Sequence, residues 1–169
     1  YKKTDPKTYL KGISIGRVPN IRPNESILSP HYNTLSKLNC ILASIEANKL
    51  GYDEGIMNDL NDNISTCNST NLFFIINDKV LTSSGRYCLN GITRGKVILI
   101  CKKNNIECLE TNFKFEDIKD CEEAFVTGTF AGIIPVSSLE GRKLESLKSD
   151  SFVNKIRMLY NKEIEEYII

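Results

Sequence analysis

The sequence predicts an α+β domain of barrel-like α/β type, with short mixed strands, two long helices and one shorter one. Three observations carry that expectation. Apolar residues recur at helical spacing over 34–50, over 92–103 and from about residue 150. Short β-rich runs lie between them, bounded by Asn, Asp, Ser and Gly. The runs do not alternate one for one with helices, as a regular βαβ array would. At 169 residues, 41% apolar and 25% charged, the chain can bury one respectable core.

Taken in order, residues 1–10 read as a tail or linker, and Ile13, Ile15 and Val18 as a strand. Pro19, Pro23 and Pro30 punctuate a loop that leads to Ser29-Pro30-His31-Tyr32-Asn33. A helix is expected from Thr34 to Leu50, with Leu35, Leu38, Leu42 and Ile45 on one face and Gly51 as its C-terminal cap. Strands follow at Glu54–Asn58, Asn63–Cys67 and Asn71–Ile76, and Asn77-Asp78 turns the last into Lys79–Thr82. Val97, Ile98, Ile100 and Cys101, widened by Leu99, mark a helix over Ile92–Lys103. Ile106–Phe113 reads as a strand and Phe115–Asp120 as a short helix. Ala124-Phe125-Val126 enters a small-residue turn over 127–132, Ile133–Val136 leaves it, and Gly141-Arg142 turns again. The last helix, from about Asp150, presents Val153, Ile156, Tyr160, Ile164 and Tyr167 inward.

Bulk properties exclude several classes of partner. A net charge of +1 gives no reason to expect nucleic acid or a membrane surface. No apolar run approaches the ~18 residues that span a bilayer. Nothing at the start resembles a signal peptide, and the polar opening without Met suggests part of something longer. The six cysteines are spread singly and there is one histidine, His31, so no metal-ligand spacing can be assembled. Reduced thiols in a cytoplasmic protein are expected, and the sequons at Asn63 and Asn68 then carry no meaning.

One stretch carries chemistry on its own residues. In Asn90-Gly91-Ile92-Thr93-Arg94-Gly95, Gly91 allows a tight turn into a helix whose first amides lack intrahelical acceptors. Those amides lie at the positive end of the dipole and, with the Thr hydroxyl, form an anion seat. Arg94 either braces this loop or counters the anion. The plainer reading is an ordinary helix start whose amides meet water. A second turn, Thr127-Gly128-Thr129, has similar composition, and if both faced one cavity they would offer several donors to one phosphate.

Further residues make the pattern specific. These are Leu42-Ala43-x-x-Glu46-Ala47, Gly51-x-Asp53-Glu54-Gly55, Asn71-Leu72-Phe73, Gly91-Ile92-Thr93-Arg94 and Phe125-Val126-Thr127-Gly128-Thr129, with Pro135-Val136 and Gly141. In this order and spacing the chain resembles the C-terminal domain of fold-type IV pyridoxal-phosphate enzymes. That family includes branched-chain aminotransferase, D-amino acid aminotransferase and 4-amino-4-deoxychorismate lyase. The resemblance implies the D-amino acid aminotransferase-like fold, with 1–28 a linker and first strand and 29–169 the cofactor-binding domain. It implies that the amides of Ile92 and Thr93, with Thr129, hold the phosphate of pyridoxal 5'-phosphate. The backbone at Phe130 would lie near the substrate carboxylate. It further implies an N-terminal domain outside this sequence, a homodimer, and an amino acid or aminodeoxychorismate-like substrate.

Two positions depart from the family pattern. Counting back thirteen residues from Glu46, where the family places its Schiff-base lysine, gives Asn33, and fourteen gives Tyr32. A carboxamide forms no imine, so covalent attachment of the cofactor is not expected. Five residues before Asn71, where the family places a glutamate on the pyridine nitrogen, stands Thr66. A hydroxyl there can hydrogen-bond the nitrogen but brings no charge to raise its pKa. Lys37 is the obvious substitute amine, one helical turn after Asn33, although a solvated lysine is the commoner use. Tyr32 and His31 are the adjacent acid–base candidates. Arg17 and Arg22 are candidates for a substrate carboxylate or simply face water. Two function classes therefore stand: an aminotransferase or lyase of this group, and a non-catalytic phosphate- or cofactor-binding relative.

Overall fold

Strands that are apolar on both faces need cover on both faces. Asn71–Ile75 is buried at every position, so the sheet around it has an inside and an outside. The computed structural model describes residues 4–166. Its order is α1 (Pro6–Lys11), β1 (Ile13–Arg17), α2 (Leu38–Lys49), β2 (Glu54–Asn58), β3 (Ile64–Cys67), β4 (Asn71–Ile76), β5 (Lys79–Ser83), α3 (Ile92–Lys103), β6 (Cys108–Thr111), α4 (Phe115–Ile118), β7 (Glu123–Gly128), β8 (Gly132–Leu139), β9 (Arg142–Lys143) and α5 (Phe152–Glu165).

All nine strands join one sheet, ordered β3-β2-β1-β8-β7-β4-β5-β6, with β9 on β8. The sheet curls until its outer strands approach: Ile64 N–H of β3 donates to the Phe113 carbonyl just past β6, at 2.8 Å. The enclosed side is filled by Ile15, Ile56, Leu72, Phe74, Val126 and Val136. On the outside, Phe73 stacks on Phe125 at 4.7 Å between ring centroids, under Val97 and Cys101 of α3 and Val153 and Ile156 of α5. Glu163 ties those two helices through Lys96 at 3.2 Å and Lys103 at 2.7 Å. The expected fold class is therefore the observed one.

Several expectations need correcting. The described part of the expected N-terminal tail is instead α1, capped by the Asp5 carboxylate and docked where Tyr9 Oη donates to the Ala131 carbonyl at 2.9 Å. The expected strand that follows is present as β1 and is central, parallel to both β2 and β8. Of the five helices described, α1 is the one that the element-by-element reading did not expect. The turn at 127–132 contracts to three residues, because Thr127-Gly128 still pair in β7 and Gly132 already pairs in β8. Leu99 is exposed and does not widen the apolar stripe of α3. Tyr167 lies outside the described residues.

The largest difference concerns α2. It begins at Leu38, not Thr34, and the residues it buries are Ala43 and Ala47. Leu38, Leu42 and Ile45 do share a face, as their spacing requires, and that face is turned outward. The cause is small residues beneath the helix. A Cβ on Gly55 would stand 2.6 Å from Val18 Cγ1 and 3.2 Å from the Ala43 carbonyl. Alanines above and a glycine below let backbone press on backbone, and the larger side chains point away. Among the described residues, no helix is long and apolar enough to cross a membrane, and no group of His, Cys, Asp and Glu is placed to hold a metal.

Candidate functional site

The two small-residue turns meet at Asn71, the first residue of β4. Its backbone pairs with Thr127 of β7. Its side-chain amide donates to the Leu89 carbonyl at 2.9 Å, on the loop that enters α3. A Cβ on Gly91 would come 2.5 Å from Asn71 Oδ1, so space alone, not backbone strain, requires glycine there. Thr70 in turn touches the position of Gly128. The start of α3 and the end of β7 thus flank one strand end.

Gly91 is the N-cap of α3 and supplies no side-chain acceptor, so the helix start has no side-chain cap. Thr93 is buried beside it, whereas the Ile92 side chain is exposed, leaving its backbone as the relevant part. Thr127 is 2% exposed and its Oγ1 meets no partner among the described residues. Side chains alternate along a strand, so Thr127 shares with Phe125 the face that α3 covers. A buried, unsatisfied hydroxyl is costly, and a ligand oxygen would relieve it. Thr129 and Phe130 lie in the turn just past β7, both exposed.

Arg94 turns away from this corner and acts as a brace. Its Nη2 donates to the Ser83 carbonyl at 2.7 Å and pairs with Glu110 at 2.8 Å, and Nη1 reaches Asn90 Oδ1 at 3.3 Å. The open choice between brace and counter-charge is therefore decided for the brace. Arg17 is likewise committed, to Glu140 at 2.9 Å and over the Phe115 ring, and this pairing holds the Glu140 carboxyl below its usual range.

Beside Asn71 opens a cleft of about 410 Å³, between the loop that precedes α2 and the turn from β3 to β4. Tyr32, Asn33, Lys37, Thr66, Asn71 and Leu89 are among its lining residues. Four of these were singled out from sequence and are brought together here, and Asn71 joins them to the turn region. Lys37 is not helical, yet its Nζ donates to Asn33 Oδ1 at 2.8 Å. Thr66 Oγ1 donates to the Thr70 carbonyl at 2.7 Å, so its proton is committed and only acceptor capacity remains. Arg22 also lines the cleft, held by the Tyr87 carbonyl at 3.2 Å and Cys40 Sγ at 2.9 Å. His31, Ile92, Thr93, Thr129 and Phe130 are not among the lining residues.

Burial pushes the Cys67 thiol well up, which leaves it protonated and a poor nucleophile. Burial also raises the Glu54 carboxyl, against the opposing bonds from Ser69 and Thr70. The turn end offers an uncapped helix start at Gly91 and, in the buried layer behind, the unpaired Thr127 hydroxyl, a donor set that suits a phosphate monoester. At the other end the residues present fit the cofactor implied by the resemblance less well. Residue 33 carries no amine, and Thr66 offers an uncharged acceptor. Sequence reasoning quoted Asn71 and Thr127 without giving either a role. An Asn heading the otherwise apolar run Leu72–Ile76 was the available signal for the first.

Comparison with known proteins identifies the chain's relatives. The model of the family described as amino-transferase class IV matches residues 2–139. A branched-chain-amino-acid aminotransferase-like protein of Arabidopsis thaliana is 34% identical over 140 residues, 83% of this chain and 25% of that protein. A probable branched-chain-amino-acid aminotransferase of Rickettsia felis is 30% identical over 168 residues, 95% of this chain and 56% of that protein. The crystal structure of a Brucella abortus aminotransferase bound to PLP superposes with a TM-score of 0.86 at 25% identity, covering 95% of this chain and 57% of that one. The chain thus spans between a quarter and somewhat over half the length of these relatives.

Proposed function

The chain belongs to the class IV aminotransferase family, and from that premise we propose that it forms the cofactor-holding part of a pyridoxal-phosphate site working on amino groups. The observation that carries this reading is the meeting of two donor-bearing turns at Asn71, beside the cleft that contains Asn33, Lys37 and Thr66. The main-chain amides of Ile92 and Thr93 and the Thr129 hydroxyl hold the phosphate, and the Thr127 hydroxyl lies in the buried layer behind them. Arg94 fixes the loop so that these amides keep their direction. Asn71 holds the two turns in register, and Thr66 accepts one hydrogen bond in the cleft. The backbone at Phe130 receives the substrate carboxylate. When bound, pyridoxal phosphate supplies an electron sink for chemistry at a substrate α-carbon. By analogy with the branched-chain enzymes among its relatives, the substrate is a small amino acid, an aminodeoxychorismate-like compound being the other choice. The assembly is a homodimer in the cytoplasm.

A second reading is favoured by Asn33 and Thr66 together. Loss of both the amine and the charged ring partner at the family positions suits a binding or partner subunit that keeps the phosphate seat without the family's turnover.

Competition binding tests the shared core of the two readings. The chain is titrated with pyridoxal 5'-phosphate, with pyridoxal and with inorganic phosphate. The phosphorylated compound binds more tightly than pyridoxal, inorganic phosphate displaces it, and Thr129→Val weakens it by roughly tenfold, one charge-assisted hydrogen bond's worth. Binding indifferent to both phosphate and the Thr129 substitution would remove the reading.

A further inference from the structure

Among the described residues that line the cleft, Lys37 carries the only primary amine. It stands immediately before α2 with backbone φ −106° and ψ 12°, outside the helix, so its direction is set by the loop and not by helical spacing. Its Nζ is 2.8 Å from Asn33 Oδ1, at the tip of the side chain that occupies the family's lysine position. The other cleft cation, Arg22, is a poor nucleophile because its guanidinium stays protonated, and it is held by Tyr87 and Cys40.

We propose that Lys37 replaces residue 33 as the amine that captures an aldehyde in this cleft, with Asn33 as the residue that positions it. The inference rests on the phosphate-seat reading and extends it to a phosphorylated aldehyde. In the capturing step the neutral Nζ adds to the aldehyde carbon and a carbon–nitrogen double bond forms. The carbonyl oxygen leaves as one water, carrying the two amine protons. The carboxamide of Asn33 cannot take part in that chemistry. It accepts one N–H bond and so restricts a side chain that otherwise samples many rotamers.

Borohydride trapping followed by peptide mapping tests the assignment. The full chain is mixed with stoichiometric pyridoxal 5'-phosphate, reduced, digested and mapped, with inorganic phosphate as competitor. The expected result is one label per chain, on the peptide that contains Lys37, suppressed by phosphate and absent from Lys37→Met. Asn33→Ala should keep the label at several-fold lower yield. The double variant Asn33→Lys with Lys37→Met restores the family arrangement and should carry the label at position 33. If that double variant is labelled and the unaltered chain is not, Lys37 is the wrong residue while the seat stands. Label that phosphate does not suppress overturns the proposal, because the amine then reacts without the seat. No label on either protein, with no binding in the titrations above, overturns the seat and the lysine together.

Discussion

α2 and α3 are both twelve-residue helices, and they are built in opposite ways. α3 buries Thr93, Arg94, Val97, Ile100 and Cys101 and stands over the stacked Phe73 and Phe125. α2 buries only two alanines and shows Leu38, Ile41, Leu42 and Ile45 to the outside. One helix is a wedge that fixes the turn region from behind. The other is a close-set rim, its two buried alanines packed on Val18, Met57 and Tyr52 beside Gly55. The difference teaches that an apolar stripe says which residues share a face and leaves open whether that face is the covered one.

Four substitutions break or sharpen this contrast. The largest effect is expected at Arg94→Met in α3, where a side chain 5% exposed loses its ion pair and its bond to the Ser83 carbonyl. A loss of ~3 kcal/mol is expected from the urea-unfolding midpoint, since the buried guanidinium gives up charge-assisted bonds to the Ser83 carbonyl and to Glu110, which is itself 42% exposed. Ala43→Leu comes next. There is no room between α2 and the strands beneath it, so overpacking should cost ~1–3 kcal/mol, read in the same way. Smallest is the pair Leu42→Gln and Ile45→Gln on the outward face, each expected within ~0.5 kcal/mol. A cost as large as that of Ala43→Leu would mean that this face is covered in solution, and the contrast would fail.

What the sequence revealed follows from the same physics. α3 was legible from end to end because Gly91, the apolar stripe and the Lys102-Lys103 end are all local signals. The Asn77-Asp78 hairpin was legible too, since both residues adopt positive φ, at 49° and 60°, as a primed turn demands. The facing of α2 was not, because it depends on Gly55 and Val18, which reach the helix only through the folded sheet. The direction of Arg94 was hidden for a like reason, since its partners Ser83 and Glu110 come from strands on either side of its helix in sequence. In the candidate site, Tyr32, Asn33, Lys37 and Thr66 line one cleft, whereas the expected seat residues Ile92, Thr93 and Thr129 do not line it. The joining role of Asn71 was not legible, because it exists only once β4 has paired with β7.

The contact between Gly91 and Asn71 has a consequence for how this chain can vary. The two positions are twenty residues apart in sequence, yet each sets the permitted size of the other. A larger residue at 91 would push the Asn71 carboxamide aside and strain its bond to the Leu89 carbonyl, so a change at one site is felt at the other.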